Sequence, residues 1–120
     1  MIETNNLTKE DVSDRFLERI ARIVLRGENK EKFDISIAIV SLNEIRGLNK
    51  KYRNKNKATD ELSFKYSKES GEVVICSKKT KEIARSLIHG LLHLLGHDHE
   101  GSAKKSRKMF QKENHYFSLV

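Results

Sequence analysis

Apolar residues recur along this chain in two alternating periods. Phe16, Ile20, Ile23 and Val24 follow helical spacing up to Gly27, behind a Thr8-Lys9-Glu10-Asp11 segment with the form of a capping box, and this predicts a first helix. A charged turn over 28 to 32 follows. Ile35, Ile37 and Ile39 alternate with Ser36, Ala38 and Val40, a β-rich run that predicts a mostly buried strand. Leu42, Ile45, Leu48 and Tyr52 return to helical spacing, whereas residues 53 to 60 have no apolar period and read as a basic loop. Leu62 to Tyr66 and Glu72 to Cys76 read as two strands separated by a turn over Ser67 to Gly71. From about Thr80 to Leu95 the pattern is helical again. Its second half is apolar nearly all round, through Leu87, Ile88, Leu91, Leu92, Leu94 and Leu95, and a helix so encircled has to lie in the middle of the domain. Ser102 caps a last predicted helix with Met109, Phe110, Glu113 and Phe117 on one side. The expected fold class is α+β: a small mixed sheet of about four strands, with the buried helix on one face and the other helices around it.

A chain of 120 residues is long enough to close one core and too short for two, so residues 1 to 120 are read as a single domain. Charged residues make up 34% of it, but the periodic apolar blocks mark a folded protein with a charged surface rather than a disordered one. No stretch approaches the roughly 18 apolar residues of a membrane span, and Met1 to Asn6 lacks the features of a secretory leader. With Cys76 as its one cysteine, the chain is expected in the reducing cytoplasm. The net charge of +7 favours polyanionic partners only where the charges gather.

The histidines change the picture most. His89, His93, His97 and His99 fall within the run His89-Gly90-Leu91-Leu92-His93-Leu94-Leu95-Gly96-His97-Asp98-His99. On a helix His89 and His93 leave one face, Gly96 lets the chain turn out through a left-handed residue, and such a turn brings His99 back toward the first two rings. A lone histidine on an apolar face is ordinarily a core residue. Several imidazoles buried in a leucine-rich helix without partners would cost a few kcal/mol, which a metal removes. Three neutral imidazoles suit Zn²⁺ or another borderline transition metal such as Ni²⁺, and three protein ligands keep a fourth position open, as in catalytic sites. His97 reads equally as a turn residue, and Asp98 as a hydrogen-bond acceptor for a ligand histidine. The spacing is that of the metzincin proteases, but Gly90 stands where those enzymes carry their glutamate base.

The same run resembles the H-G-x-x-H-L-x-G-x-D-H signature of the YbeY family of metal-dependent endoribonucleases. Leu48-Asn49-Lys50-Lys51-Tyr52-Arg53, Thr59-Asp60-Glu61-Leu62-Ser63-Phe64 and Gly71-Glu72-Val73-Val74-Ile75 resemble three further segments of that family. Glu61 departs from the family's valine, Ala58 from its proline, and Asn56 and Glu72 from its aspartates. The resemblance implies a zincin-like site with His89, His93 and His99 as zinc ligands. It also implies a single-strand-specific endoribonuclease of ribosomal RNA maturation, working on ribosomal RNA precursors and ribosomal particles and not at a membrane. Arg53 matches the family's functional arginine and joins His89 as a catalytic residue, since a guanidinium near a metal pairs with phosphate oxygens. Lys50, Lys51, Lys55 and Lys57 flank Arg53 as an expected track for the RNA backbone. Two other classes share these residues: a metallohydrolase of peptides or small molecules, and a non-catalytic ribosome-associated factor with a structural metal.

Overall fold

A computed structural model describes residues 1–98 and 101–120. The element order is β1 (Ile2–Asn6), α1 (Asp14–Gly27), β2 (Asp34–Ile39), α2 (Leu42–Arg53), β3 (Glu61–Ser67), β4 (Ser70–Ile75), α3 (Ile83–Leu94) and α4 (Ala103–Ser118). The strands form a four-stranded mixed sheet in the order β1-β2-β4-β3, as the fold class required. β1 and β4 run parallel to β2, and β3 pairs antiparallel with β4 through the tight turn at Lys68 and Glu69.

Both faces of the sheet are covered. Ile35, Ile37 and Ile39 of β2 join Val73 and Ile75 of β4 in a core with α1, α3 and α4. Ala38, Val40, Val74 and Leu62 point the other way and meet Ile45 of α2. Two-sided burial is why β2 reads as a nearly continuous apolar run. α3 is the most deeply set helix, with Leu87, Ile88, Leu91 and Leu92 fully buried. Its close approach to the sheet needs Gly90, because a Cβ there would lie 2.7 Å from Val73 Cγ1.

The start of the chain differs from expectation. Residues 2 to 6 form an edge strand, and α1 begins at Ser13, whose side chain accepts from the Phe16 amide, instead of at the Thr8 capping box. The Thr8 hydroxyl is engaged locally, donating to Asn6 Oδ1 and accepting from the Glu10 amide, so it closes the turn after β1 and cannot cap a helix. α3 likewise begins three residues later than predicted, at Ile83, with Glu82 accepting from the Ala84 amide. Gly96 does take the left-handed conformation, and Ser102 does cap α4. His99, the third predicted metal ligand, lies outside the described residues.

Glu28, just past the end of α1, ties α4 and the turn after α3 to α1. Its carboxylate, 7% exposed, accepts from Lys112 Nζ at 2.9 Å, from the Tyr116 hydroxyl, and pairs with His97 Nε2. Gly27 makes room for this, since any side chain there would collide with the Tyr116 ring. Burial alone would push the Glu28 carboxyl up, but hydrogen bonds from Tyr116, Lys112 and His97 outweigh it and hold the group at about 2. A carboxyl lowered on folding contributes stability that is complete above about pH 4.5 and is lost as pH falls toward about 2. Glu28→Gln should therefore cost about 1–3 kcal/mol at pH 7, the scale of a disrupted buried charged acceptor. Melting temperatures of variant and wild type should converge in acid; a gap unchanged down to pH 2.5 would mean that the charge is irrelevant.

Candidate metal centre

α3 places His89 and His93 one turn apart at the mouth of a cleft, while the leucines between them hold the helix in the core. Their Nε2 atoms lie 3.0 Å from each other. Two imidazoles sharing one tetrahedral ion at bonds of about 2.0–2.1 Å would have nitrogens roughly 3.3 Å apart, so this separation fits a common ion with little adjustment. The other side of His89 is fixed: its Nδ1 pairs with Glu113 Oε1 of α4. If Nδ1 carries the proton, Nε2 presents its lone pair to the cleft, which is the carboxylate–histidine arrangement that orients metal ligands. The Glu113 hydrogen bond raises the His89 pKa above its ordinary value, against the opposing effect of burial. Glu113 is itself buried, and its second oxygen faces Arg85 Nη2 at 3.9 Å.

Sequence reasoning placed Glu113 on the apolar side of the last helix and gave it no role. The signal was present, because a glutamate in register with Met109 and Phe117 must be paired when that side is buried. His97, left between two readings, belongs to the scaffold through Glu28. Among the described residues no group of three or more His, Cys, Asp or Glu is arranged to hold a metal; the expected third ligand, His99, is outside them.

The cleft has a volume of about 530 Å³ and is lined by Arg53, Lys55, Lys57, Glu61, His89 and His93 among others. Arg53 ends α2, where Asn54 adopts a left-handed conformation and turns the chain into the basic loop. Its Nη2 donates to the Ser63 carbonyl at 2.9 Å and its guanidinium lies over the Phe64 ring at 5.2 Å. Both contacts hold a surface arginine in place. Buried Asn49 shapes the loop beyond, its side-chain amide donating to the Lys57 carbonyl and its backbone carbonyl accepting from the Lys55 amide. Lys55 and Lys57 thereby face the cleft with Arg53, while Lys50 and Lys51 lie on the exposed side of α2 and do not line it.

Glu61, at the start of β3, stands out in the sequence only as a departure from the resembled segment and has no role assigned there. Its Oε2 is buried without a hydrogen-bond partner. Burial pushes its carboxyl up to about 7, only partly countered by the fields of His89 and Arg53.

Comparison with known proteins gives the family to which the chain belongs. Endoribonuclease YbeY of Aquifex aeolicus is 33% identical to the chain, over 95% of this chain and 88% of that relative. Endoribonuclease YbeY of Persephonella marina is 32% identical over the same shares. A solution structure of TM1509 from Thermotoga maritima superposes with a TM-score of 0.61 at 29% identity, covering 97% of this chain and 86% of that one. No helix among the described residues is long and apolar enough to cross a membrane. The family model described as Endoribonuclease YbeY matches residues 2–120, nearly the whole chain, and the chain therefore belongs to the YbeY endoribonuclease family.

Proposed function

We propose that this protein is a zinc-dependent, single-strand-specific endoribonuclease that processes ribosomal RNA precursors in the cytoplasm, working on RNA or on ribosomal particles. The observation that carries the reading is the convergence of the His89 and His93 Nε2 atoms in a cleft whose rim is Arg53, Lys55 and Lys57. A peptide-cleaving metallohydrolase has no use for cations gathered at the metal, and Gly90 denies the helix that enzyme's glutamate. His89, His93 and His99 are the ligand set, Zn²⁺ or another borderline ion such as Ni²⁺ the occupant. A bound ion supplies Lewis-acid polarisation of the scissile phosphoryl group.

The chain's own groups do the rest. Lys55 and Lys57 draw the phosphate backbone in by releasing counterions. Arg53, already held by the Tyr52 and Ser63 carbonyls and the Phe64 ring, lines the cleft where a phosphate would enter and gains most when the transferred group carries extra negative charge. Glu113 keeps the His89 ring in one tautomer and one orientation.

His93→Ala should abolish stoichiometric zinc binding, and Glu113→Gln should weaken it by about 10- to 100-fold while leaving the ligands in place. Calorimetry and elemental content check both, and one zinc per chain retained by His93→Ala would show the ligand set to be wrong. Chelation should lower the melting temperature of the wild type and leave that of His93→Ala unmoved.

Arg53→Ala should keep zinc and fold yet lose about 10²- to 10³-fold in kcat on single-stranded RNA, with Arg53→Lys rescuing little. Cleavage by the alanine variant at the wild-type rate would reduce Arg53 to a surface charge.

Lys55→Ala and Lys57→Ala should each reduce the logarithmic salt slope of single-stranded RNA binding by about 0.7, and Lys50→Ala and Lys51→Ala should not. The opposite ranking in a fluorescence titration would put the RNA track on the outer side of α2.

A further inference from the structure

α3 offers the cleft no carboxylate of its own, because Gly90 stands at the position where the metzincin motif carries glutamate. A carboxylate is there nonetheless. β3 alternates so that Leu62 joins the α2 side of the sheet and Glu61 falls on the opposite side, beneath α3. A Cβ built on Gly90 would lie 2.7 Å from Glu61 Oε2, so the strand's carboxylate fills the space into which a side chain at position 90 would grow. That oxygen is shut off from solvent and has no hydrogen-bond partner among the described residues. The residue as a whole is only half-buried and lines the cleft with His89, His93 and Arg53.

A scaffold role does not account for this placement. Glu28 and Glu113 are also buried carboxylates, and each joins neighbouring elements through hydrogen bonds or ion pairs. The Glu61 side chain makes no hydrogen bond or ion pair among the described residues, and an unpartnered buried acceptor is a cost to folding that calls for a functional reason.

We propose that Glu61 is the proton acceptor of the cleavage reaction in this chain, a strand-borne carboxylate standing in for the glutamate that the helix lacks. The proposal rests on the endoribonuclease reading above. A water in the cleft donates a hydrogen bond to the Glu61 carboxylate. As the water oxygen bonds to phosphorus, its proton passes to the carboxylate, and the phosphorus–oxygen bond to the departing ribose breaks with its electron pair on that oxygen. The proton held by Glu61 then neutralises the departing oxygen, so one water is added across one phosphodiester bond and the carboxylate returns to its starting state.

The test is single-turnover cleavage of a labelled single-stranded oligoribonucleotide by zinc-loaded wild type, Glu61→Gln and Glu61→Val, with zinc affinity and melting temperature measured on the same preparations. Both variants should lose about 10²- to 10⁴-fold in kcat, the range for general acid–base catalysis, with KM and zinc affinity unchanged. Melting temperatures should hold or rise, since no partner is lost and an unpaired buried charge is removed; a structural role would lower them. Wild-type kcat in Glu61→Gln overturns the proposal and leaves the nuclease reading intact. Loss of zinc from Glu61→Gln also overturns it, by making Glu61 a ligand. A wild type that leaves the RNA whole overturns the nuclease reading, and this proposal with it.

Discussion

The site depends on how α3 is buried. Leu87, Ile88, Leu91 and Leu92 are out of contact with water, and each such side chain contributes about 1.5–3 kcal/mol to holding the helix in one rotation and one register. His89 and His93 lie together on the opposite side of the helical wheel from these residues, so the rotation that buries the leucines is also the one that turns both imidazoles to the cleft. A slip of one residue would drive the rings into the core and the leucines into water. Gly90 fixes the depth, since only a bare α-carbon lets α3 lie so close to Val73 and Glu61. The precision of the ligands is thus borrowed from ordinary hydrophobic packing.

Glu28, Glu61 and Glu113 show how differently one functional group can be buried. Glu28 is held charged by Lys112, Tyr116 and His97, and that bond network stiffens the turn that follows the histidine helix. Glu113 is shared between His89 and Arg85, so the orientation of a cleft residue and the packing of α4 are settled by the same side chain. Among the described residues Glu61 has no such partner, and burial raises its carboxyl instead of lowering it. The contrast between satisfied and unsatisfied carboxylates separates scaffold from chemistry within a few ångströms of one helix.

Much of this was legible from periodicity. The runs around Ile35 to Val40 and Leu87 to Leu95 bury both sides, and a continuous apolar signal at those lengths leaves little choice of element. β1 escaped because an edge strand such as Ile2-Glu3-Thr4-Asn5-Asn6 buries little on either face and holds its place by backbone pairing to β2, which leaves no mark on side-chain type. The capping box at Thr8 misled because its hydroxyl had a nearer partner in Asn6. His89, His93 and Arg53 stood out through spacing and through the resemblance around them. Glu61 and Glu113 did not, because their importance comes from neighbours contributed by α3, distant in sequence. Lys55 and Lys57 could be told from Lys50 and Lys51 only once Asn49 had shaped the loop between α2 and β3.

The partner of His89 is supplied from 24 positions further along the chain, on α4. In a polypeptide made from its N-terminus, His89 and His93 are synthesised before Glu113, and until then α3 lacks the helix that covers it. The orientation of the His89 ring is therefore settled only when α4 docks through Glu113, Lys112 and Tyr116 together, and it is among the last features of the fold to be set.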